Sequence, residues 1–183
     1  MRIALTGTHS TGKTTLINRL AMRESFENYQ VSYSNTRRLK QEGLPINSKE
    51  DKNYDITQEL VLTFHMKDLL RPNILMDRCL VDGLAYTQFL NSKGKVSNLT
   101  LELFGQMTST LVNNYDFIFY CPIRGELEKD GIREEDESFR LAVDLIIRNH
   151  LVPNLSNIYT LPSDNQEENI KFILETINGS KNG

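Results

Sequence analysis

The first twenty residues constrain this chain more than any other part of it. Ile3, Ala4 and Leu5 form an apolar run that leads into Gly7, Thr8, His9, Ser10, Thr11, Gly12, Lys13 and Thr14, after which Leu16, Ile17 and Leu20 recur at helical spacing. A short buried strand, a glycine-containing turn and a helix must therefore follow one another. The turn fits G-x-x-x-x-G-K-[ST], and a strand-to-helix setting is the one in which that pattern has physical meaning. Glycines let the backbone turn its N–H groups inward onto an anion, and the helix N-terminus behind them favours negative charge. The lysine then reaches the β- and γ-phosphates of a nucleotide, and the threonine hydroxyl ligates magnesium. Gly7, Thr8, His9, Ser10, Thr11, Gly12, Lys13, Thr14 and Thr15 are thus expected to hold ATP, with Thr14 also on Mg2+ and Lys13 catalytic. His9 is expected to offer its backbone rather than its ring.

The same alternation continues along the chain. Residues 29–34 read as a second, weaker strand, and a short helix over 37–42 is stopped by Gly43 and Pro45. The polar stretch that runs on to Tyr54 is expected to be mobile. Asp55 with Gln58 has the form of a capping box, and Ile56, Leu60 and Phe64 mark one face of a helix ending at Arg71 before Pro72. A strand at 74–76 and a helix over 82–90 follow; beyond the turn at Lys93, Gly94 and Lys95, Leu99, Leu103, Met107 and Leu111 repeat every fourth residue, and both helices are expected against the sheet. A strand at 117–121 precedes a charged stretch to residue 135, then a helix with Val143, Ile147 and Leu151 on one face. A strand at 158–161, a second capping-box pattern at Ser163 and Gln166, and a helix carrying Ile170, Ile173, Leu174 and Ile177 complete the pattern.

Five strands separated by helices predict an α/β fold in three layers, because parallel neighbours need crossover connections and helices supply them. Ligands then bind beyond the carboxyl ends of the strands. A length of 183 residues is that of one domain, 1–183, with disorder expected only in a tail from about residue 179. A net charge of −3 disfavours general coating of nucleic acid. Cys79 and Cys121 each follow a buried strand and are expected to be reduced core thiols. Residues 3–5 are too short for a signal-peptide core, and nowhere do eighteen apolar residues run together, so no membrane partner is expected and the cytoplasm, a host's if the source is viral, is the expected location.

Further residues carry charge toward the same sheet edge. Asp77 and Arg78 end the third strand, where the carboxylate orients magnesium-bound water or accepts an acceptor's proton, and the guanidinium steadies the transferring phosphoryl group. Asp82 either pairs with Arg78, caps its own helix or meets substrate. Arg124, Lys129, Arg133 and Arg140 lie in or just beyond a stretch containing Gly125 and Gly131, and such a stretch beside a phosphate loop suits a lid over about 122–135. Arg37, Arg38 and Lys40 at the other lip either bind an anionic acceptor or remain a solvated face.

The phosphate loop, Arg37 with the run Gly43, Leu44, Pro45, Ile46, Asn47, the segment from Asp77 to Tyr86 (DRCLVDGLAY) and that from Asp130 to Arg140 (DGIREEDESFR) together resemble the nicotinamide-riboside-kinase-like P-loop family. That family is similar in turn to thymidylate and deoxynucleoside kinases. The resemblance implies the P-loop NTPase fold with a five-stranded parallel sheet, ATP with magnesium, and a lid whose Arg133, with Arg140, meets the nucleotide. It also implies a nucleoside-like or nucleotide-like acceptor, for which Arg37, Arg38 and Asp82 are the candidate binding residues by their place at the cleft. Related kinases often place a carboxylate just after the second strand, where this chain has Ser34 and Asn35, which leaves Asp77 as the candidate base.

Three readings stand side by side. The first is phosphoryl transfer from ATP to a nucleoside or nucleoside monophosphate, by a monomer or homodimer. The second has DNA as the partner, as in the phage enzymes resembling thymidylate kinase that phosphorylate hydroxymethyluracil within DNA. The third is a regulatory P-loop switch, although the guanine-binding N-K-x-D motif is absent and Lys13 and Thr14 are intact.

Overall fold

The computed structural model describes residues 1–46, 52–124 and 137–180, without the side chains of Arg37 and His150. Among these, five strands pair into one parallel sheet: β1 (Arg2–Thr6), β2 (Gln30–Ser32), β3 (Ile74–Asp77), β4 (Phe117–Tyr120) and β5 (Ile158–Thr160), in the order β2-β3-β1-β4-β5. The register sets Leu5 opposite Asp77 and Thr6 opposite Tyr120, so the ends of β1, β3 and β4 meet at one edge. The connections leave β1 on one side for β2 and β3 and return on the other for β4 and β5. That reversal opens a crevice at the carboxyl end of β1, where open α/β sheets bind ligands.

Seven α-helices join the strands among the described residues: α1 (Lys13–Ala21), α2 (Thr36–Gln41), α3 (Asp55–Asp68), α4 (Leu80–Ser92), α5 (Asn98–Leu111), α6 (Glu137–Ile146) and α7 (Gln166–Gly179). Side chains alternate along each strand, and here both faces are apolar because both are covered. Ile3, Leu5, Leu75 and Phe119 pack with Leu16, Ile17 and Leu20 of α1 and with Ile170, Ile173 and Ile177 of α7. Ala4, Met76 and Ile118 face the opposite layer, with Leu80 and Leu84 of α4, Phe104 of α5 and Val143 of α6. The expected stripe of α7 is thus the buried one. Both cysteines are free and buried, and burial pushes the Cys121 thiol up to about 12, which keeps it protonated and inert.

Several local expectations are corrected. Ile56, expected to lead the inner face of α3, is 65% exposed, and the buried positions are Thr57, Gln58, Leu62 and Asp68. On α5 the inner face is likewise displaced: Leu99 is 76% exposed while Thr100, Phe104 and Thr108 turn inward. This helix packs chiefly on α3 and α4 rather than on the sheet. Neither capping box forms. Asp55 Oδ1 accepts instead from Ser97 N–H at 2.8 Å, tying α3 to the start of α5, and α7 is capped by Asn165, which accepts from Glu167 N–H at 2.9 Å. Tyr54 is a core residue, packed with Leu90 and Val96. The segment expected to form a lid lies outside the described residues from 125 to 135, as does the tail from 181, whereas Gly179 still belongs to α7. Among the described residues, no helix is long and apolar enough to cross a membrane.

Gly83 shows how closely α4 and α5 meet. A Cβ on this residue would sit 2.3 Å from Phe104 Cζ, and that ring is fully buried with no room to turn. Overpacking of this kind costs about 1–3 kcal/mol, against a gain of up to about 1 kcal/mol from better helix propensity. Gly83→Ala is therefore expected to lower the thermal midpoint by several degrees, as measured by calorimetry. An unchanged or higher midpoint would show that the helices can part at no cost.

Candidate active site

The turn between β1 and α1 adopts a backbone that its residues were chosen to allow. Gly7 has φ +143° and lies so close to β4 that a Cβ would stand 2.5 Å from the Cys121 carbonyl oxygen; Gly12, at φ +76°, ends the turn. Three side chains hold the loop from outside. Asp82 Oδ1 accepts from Gly7 N–H at 2.9 Å, Tyr86 Oη accepts from His9 N–H at 3.0 Å, and Arg140 Nη2 donates to the Ser10 carbonyl at 3.0 Å. Asp82 also accepts from Cys79 N–H at 2.9 Å, so one carboxylate both starts α4 and fixes the loop entrance. The loop is thereby held in place by the surrounding protein.

Lys13 opens α1 and folds back over the loop, its ammonium donating to the Thr8 carbonyl and to Thr11 Oγ1. Burial, and next the Arg78 charge, pull its pKa down to about 8, with Asp82, Cys121 and Asp77 opposing. Thr14 Oγ1 donates to Asp77 Oδ2 at 2.6 Å, which brings the two expected magnesium residues together across β1 and β3. Arg78 carries φ +96°, a strained conformation for a residue with a Cβ, and its N–H donates to the Leu5 carbonyl at 3.0 Å. Its guanidinium lies 3.4 Å from Asp82 Oδ1 and over the Tyr86 ring at 5.1 Å from the centroid.

A cavity of about 540 Å3 extends from this loop between α2, α3 and α4. It is lined at the loop by Lys13, Thr14, Asp77 and Arg78, with His65 beside the latter two, and elsewhere by Leu39, Gln58, Val61, Leu90 and Phe139. Thr87 Oγ1 lies 3.0 Å from Gln58 Oε1 and 2.7 Å from the Gly83 carbonyl, which anchors the Gln58 amide to α4. Thr57 Oγ1 is buried on the same wall with no hydrogen-bond partner among the described residues.

Of the residues expected from sequence, His9, Ser10, Thr11, Gly12, Lys13, Thr14, Thr15, Asp77, Arg78 and Asp82 all line this cavity. Gly7 and Thr8 lie at the base of the loop. Asp82 is nearly fully buried, with both oxygens engaged by the protein, so it stands under the cleft as a support. Arg140, fully buried, reaches the loop from behind. Arg38 is directed away from the cavity: it pairs with Glu42 at 2.9 Å and lies over Phe64, and so belongs to the solvated face. Arg133 and the Arg37 side chain lie outside the described parts. Sequence reading missed Thr57, Gln58, Val61, His65 and Tyr86. Thr57, Val61 and His65 repeat every fourth residue along α3, with Gln58 beside Thr57, one position away from the expected apolar stripe, which was the available signal.

A glycine-containing loop at the switch point of an all-parallel 2-3-1-4-5 sheet, with its threonine on a strand-end aspartate, is the arrangement of the P-loop NTPase kinase fold. Deoxyadenosine kinase from M. mycoides with products dCMP and dCDP shares it, with a TM-score of 0.71 at 17% identity over 98% of this chain and 100% of that one. The same enzyme with bound dCTP gives a TM-score of 0.68 at 18% identity, over 98% and 100%. NadR protein in complex with NR gives 0.71 at 19% identity over 94% of this chain, which spans 50% of NadR. No curated protein matches the sequence itself. The chain belongs to the AAA domain family, whose model matches residues 2–168.

The lowered pKa of Lys13 has a measurable result. Below about pH 8 the ammonium is charged in the free protein; above it the proton is lost, and a nucleotide that requires the charge must restore it. Affinity for ADP is therefore expected to be flat from pH 7 to about 8 and to fall by up to about tenfold per pH unit above that. Calorimetric titration across this range checks it, and Lys13→Met should remove the dependence.

Proposed function

We propose that this protein transfers the γ-phosphoryl group of ATP to a small nucleoside-like or nucleotide-like acceptor. One observation carries the reading: a single cavity runs from the phosphate loop into a chamber between helices, so donor and acceptor can meet at Lys13, Asp77 and Arg78. A switch protein needs the first half of that cavity but has no use for the second. The mixed lining of the chamber suits a molecule with a flat ring and a few polar edges. Solved structures of the same fold hold dCMP and dCDP in one case and NR in another, which supports an acceptor of that size.

The Thr14 hydroxyl and the Asp77 carboxylate are hard oxygen donors of the kind magnesium takes alongside phosphate oxygens. When bound, the ion neutralises charge between the β- and γ-phosphates. The loop N–H groups orient the donor, Lys13 follows the charge as it moves onto the leaving oxygen, and Arg78, held rigid by Asp82, faces the transferring group.

A panel of nucleosides, nucleoside monophosphates and hydroxymethylated DNA, incubated with ATP labelled at the γ-phosphate, tests the reading. Label is expected on a small acceptor. Label on DNA alone would assign the chamber to an everted base. Release of inorganic phosphate with no acceptor labelled would sink the kinase reading in favour of a switch.

A further inference from the structure

The wall of the chamber holds one group that the mechanism above leaves without a task. Along α3, Thr57, Gln58, Val61 and His65 face the cavity, eight residues or about 12 Å of helix from first to last. His65 stands at the inner end. It also lines a smaller recess with Ser34, Asn35, Asp77 and Arg78, so it occupies the corner between the end of β2 and the end of β3. The end of β2 offers no carboxylate there, and the two acids nearest the loop are committed: Asp77 to Thr14, Asp82 to Gly7, Cys79 and Arg78. The His65 ring makes no hydrogen bond or ion pair among the described residues. Burial, and then the charge of Arg78, hold it neutral down to about pH 3. The other charged or titratable groups around this corner are Lys13 of α1, Tyr33 after β2, Tyr86 of α4, Asp77, and Asp68 of α3 itself, which is bonded to Ser32.

We propose that His65 accepts the proton of a hydroxyl acceptor, and that the acceptor is accordingly an uncharged nucleoside-type molecule rather than a nucleoside monophosphate. The proposal rests on the kinase reading above and makes it specific. As the hydroxyl oxygen bonds to the γ-phosphorus, the bond from that phosphorus to the bridging oxygen breaks with its electron pair left on ADP. The hydroxyl proton passes to the free imidazole nitrogen and leaves to solvent after product release. Such a proton becomes acidic only as the new bond forms, so a weak base in the right place suffices. The new imidazolium then stands beside a transferred phosphate dianion, which favours its charge. A monophosphate acceptor is ionised already and needs cations instead of a base; the described wall beyond His65 is neutral, made of Thr57, Gln58, Val61, Leu39, Leu90 and Phe139. Thr57 Oγ1, buried and unpartnered, offers that neutral molecule a polar contact at the outer end.

The test uses the full chain with thymidine, deoxyadenosine and nicotinamide riboside as probes, each beside its monophosphate. In proton NMR the His65 ring signal, assigned through His65→Asn, is expected to stay fixed from pH 5.5 to 8 and to move when the favoured nucleoside is added without ATP. In label-transfer assays His65→Ala and His65→Gln are expected to lower kcat by roughly 10²-fold or more while the Kd for ADP stays within about twofold. Added imidazole should restore part of the activity of His65→Ala, following the neutral form of imidazole as pH rises. Nucleoside phosphorylation by the wild type with kcat unchanged in both variants would overturn the role of His65 and leave the kinase reading standing. Labelling of monophosphates alone would overturn the acceptor class. ATP hydrolysis by the wild type with no acceptor labelled would overturn the kinase reading, and this proposal with it.

Discussion

Lys13→Ala is expected to lower phosphoryl transfer by roughly 10²–10³-fold or more, with secondary structure and thermal midpoint nearly unchanged. The ammonium is buried, and among the described residues its hydrogen bonds go to the Thr8 carbonyl and Thr11 hydroxyl of its own loop. What it offers is a charge that is expensive to hold without an anion: its lowered pKa records that cost, and bound phosphates remove it. The ammonium is worth most when negative charge builds on the leaving oxygen, so kcat should suffer more than ADP affinity. Single-turnover transfer and ADP titration on the same samples separate the two. Equal losses would reduce Lys13 to a ground-state contact, and unchanged turnover would remove the loop from the reaction.

The second large effect is expected at Asp77. Its Oδ2 takes the Thr14 proton at 2.6 Å, and its neighbour Arg78 is locked at positive φ by its N–H bond to Leu5, so the carboxylate cannot drift from the loop. Asp77→Asn keeps the shape but removes the charge that draws a hard cation to this corner. Transfer is expected to fall by about 10²-fold at millimolar magnesium and to recover in part as magnesium is raised, while metal-free ADP binding stays as in the wild type. Failure of magnesium to restore any activity would make Asp77 the proton acceptor and leave His65 as a positioning group.

What was legible in the sequence follows from where each residue gets its instructions. β1, the loop and α1 are specified locally, by apolar run, glycine spacing and helical period, and so could be read with the loop residues in place. β3 ends in Asp77 and Arg78 wherever the strand pairs, so their place at the cleft was also legible. α3 was read one face off, and on α5 only Met107 and Leu111 of the expected stripe pack against the core, because periodicity assumes that the inner face is the apolar one. α3 packs Leu62 into the core and also lines the chamber, so Thr57, Gln58 and His65 face inward while Ile56 meets solvent; α5 lies on other helices and turns Phe104 under Gly83. The double task of Asp82 was hidden for a different reason: its partner Gly7 is 75 residues away, and no local pattern records that contact.

The two walls of the chamber therefore differ in how freely they can be redesigned. α4 carries Asp82 and Tyr86, both bonded to the loop backbone, so a substitution there made to admit a different acceptor also slackens the grip on the donor. On α3, Thr57 and Val61 line the chamber and, among the described residues, make no side-chain hydrogen bond to the loop. Retargeting the protein to a new acceptor is a problem for α3, where specificity can be varied while the donor machinery stays untouched.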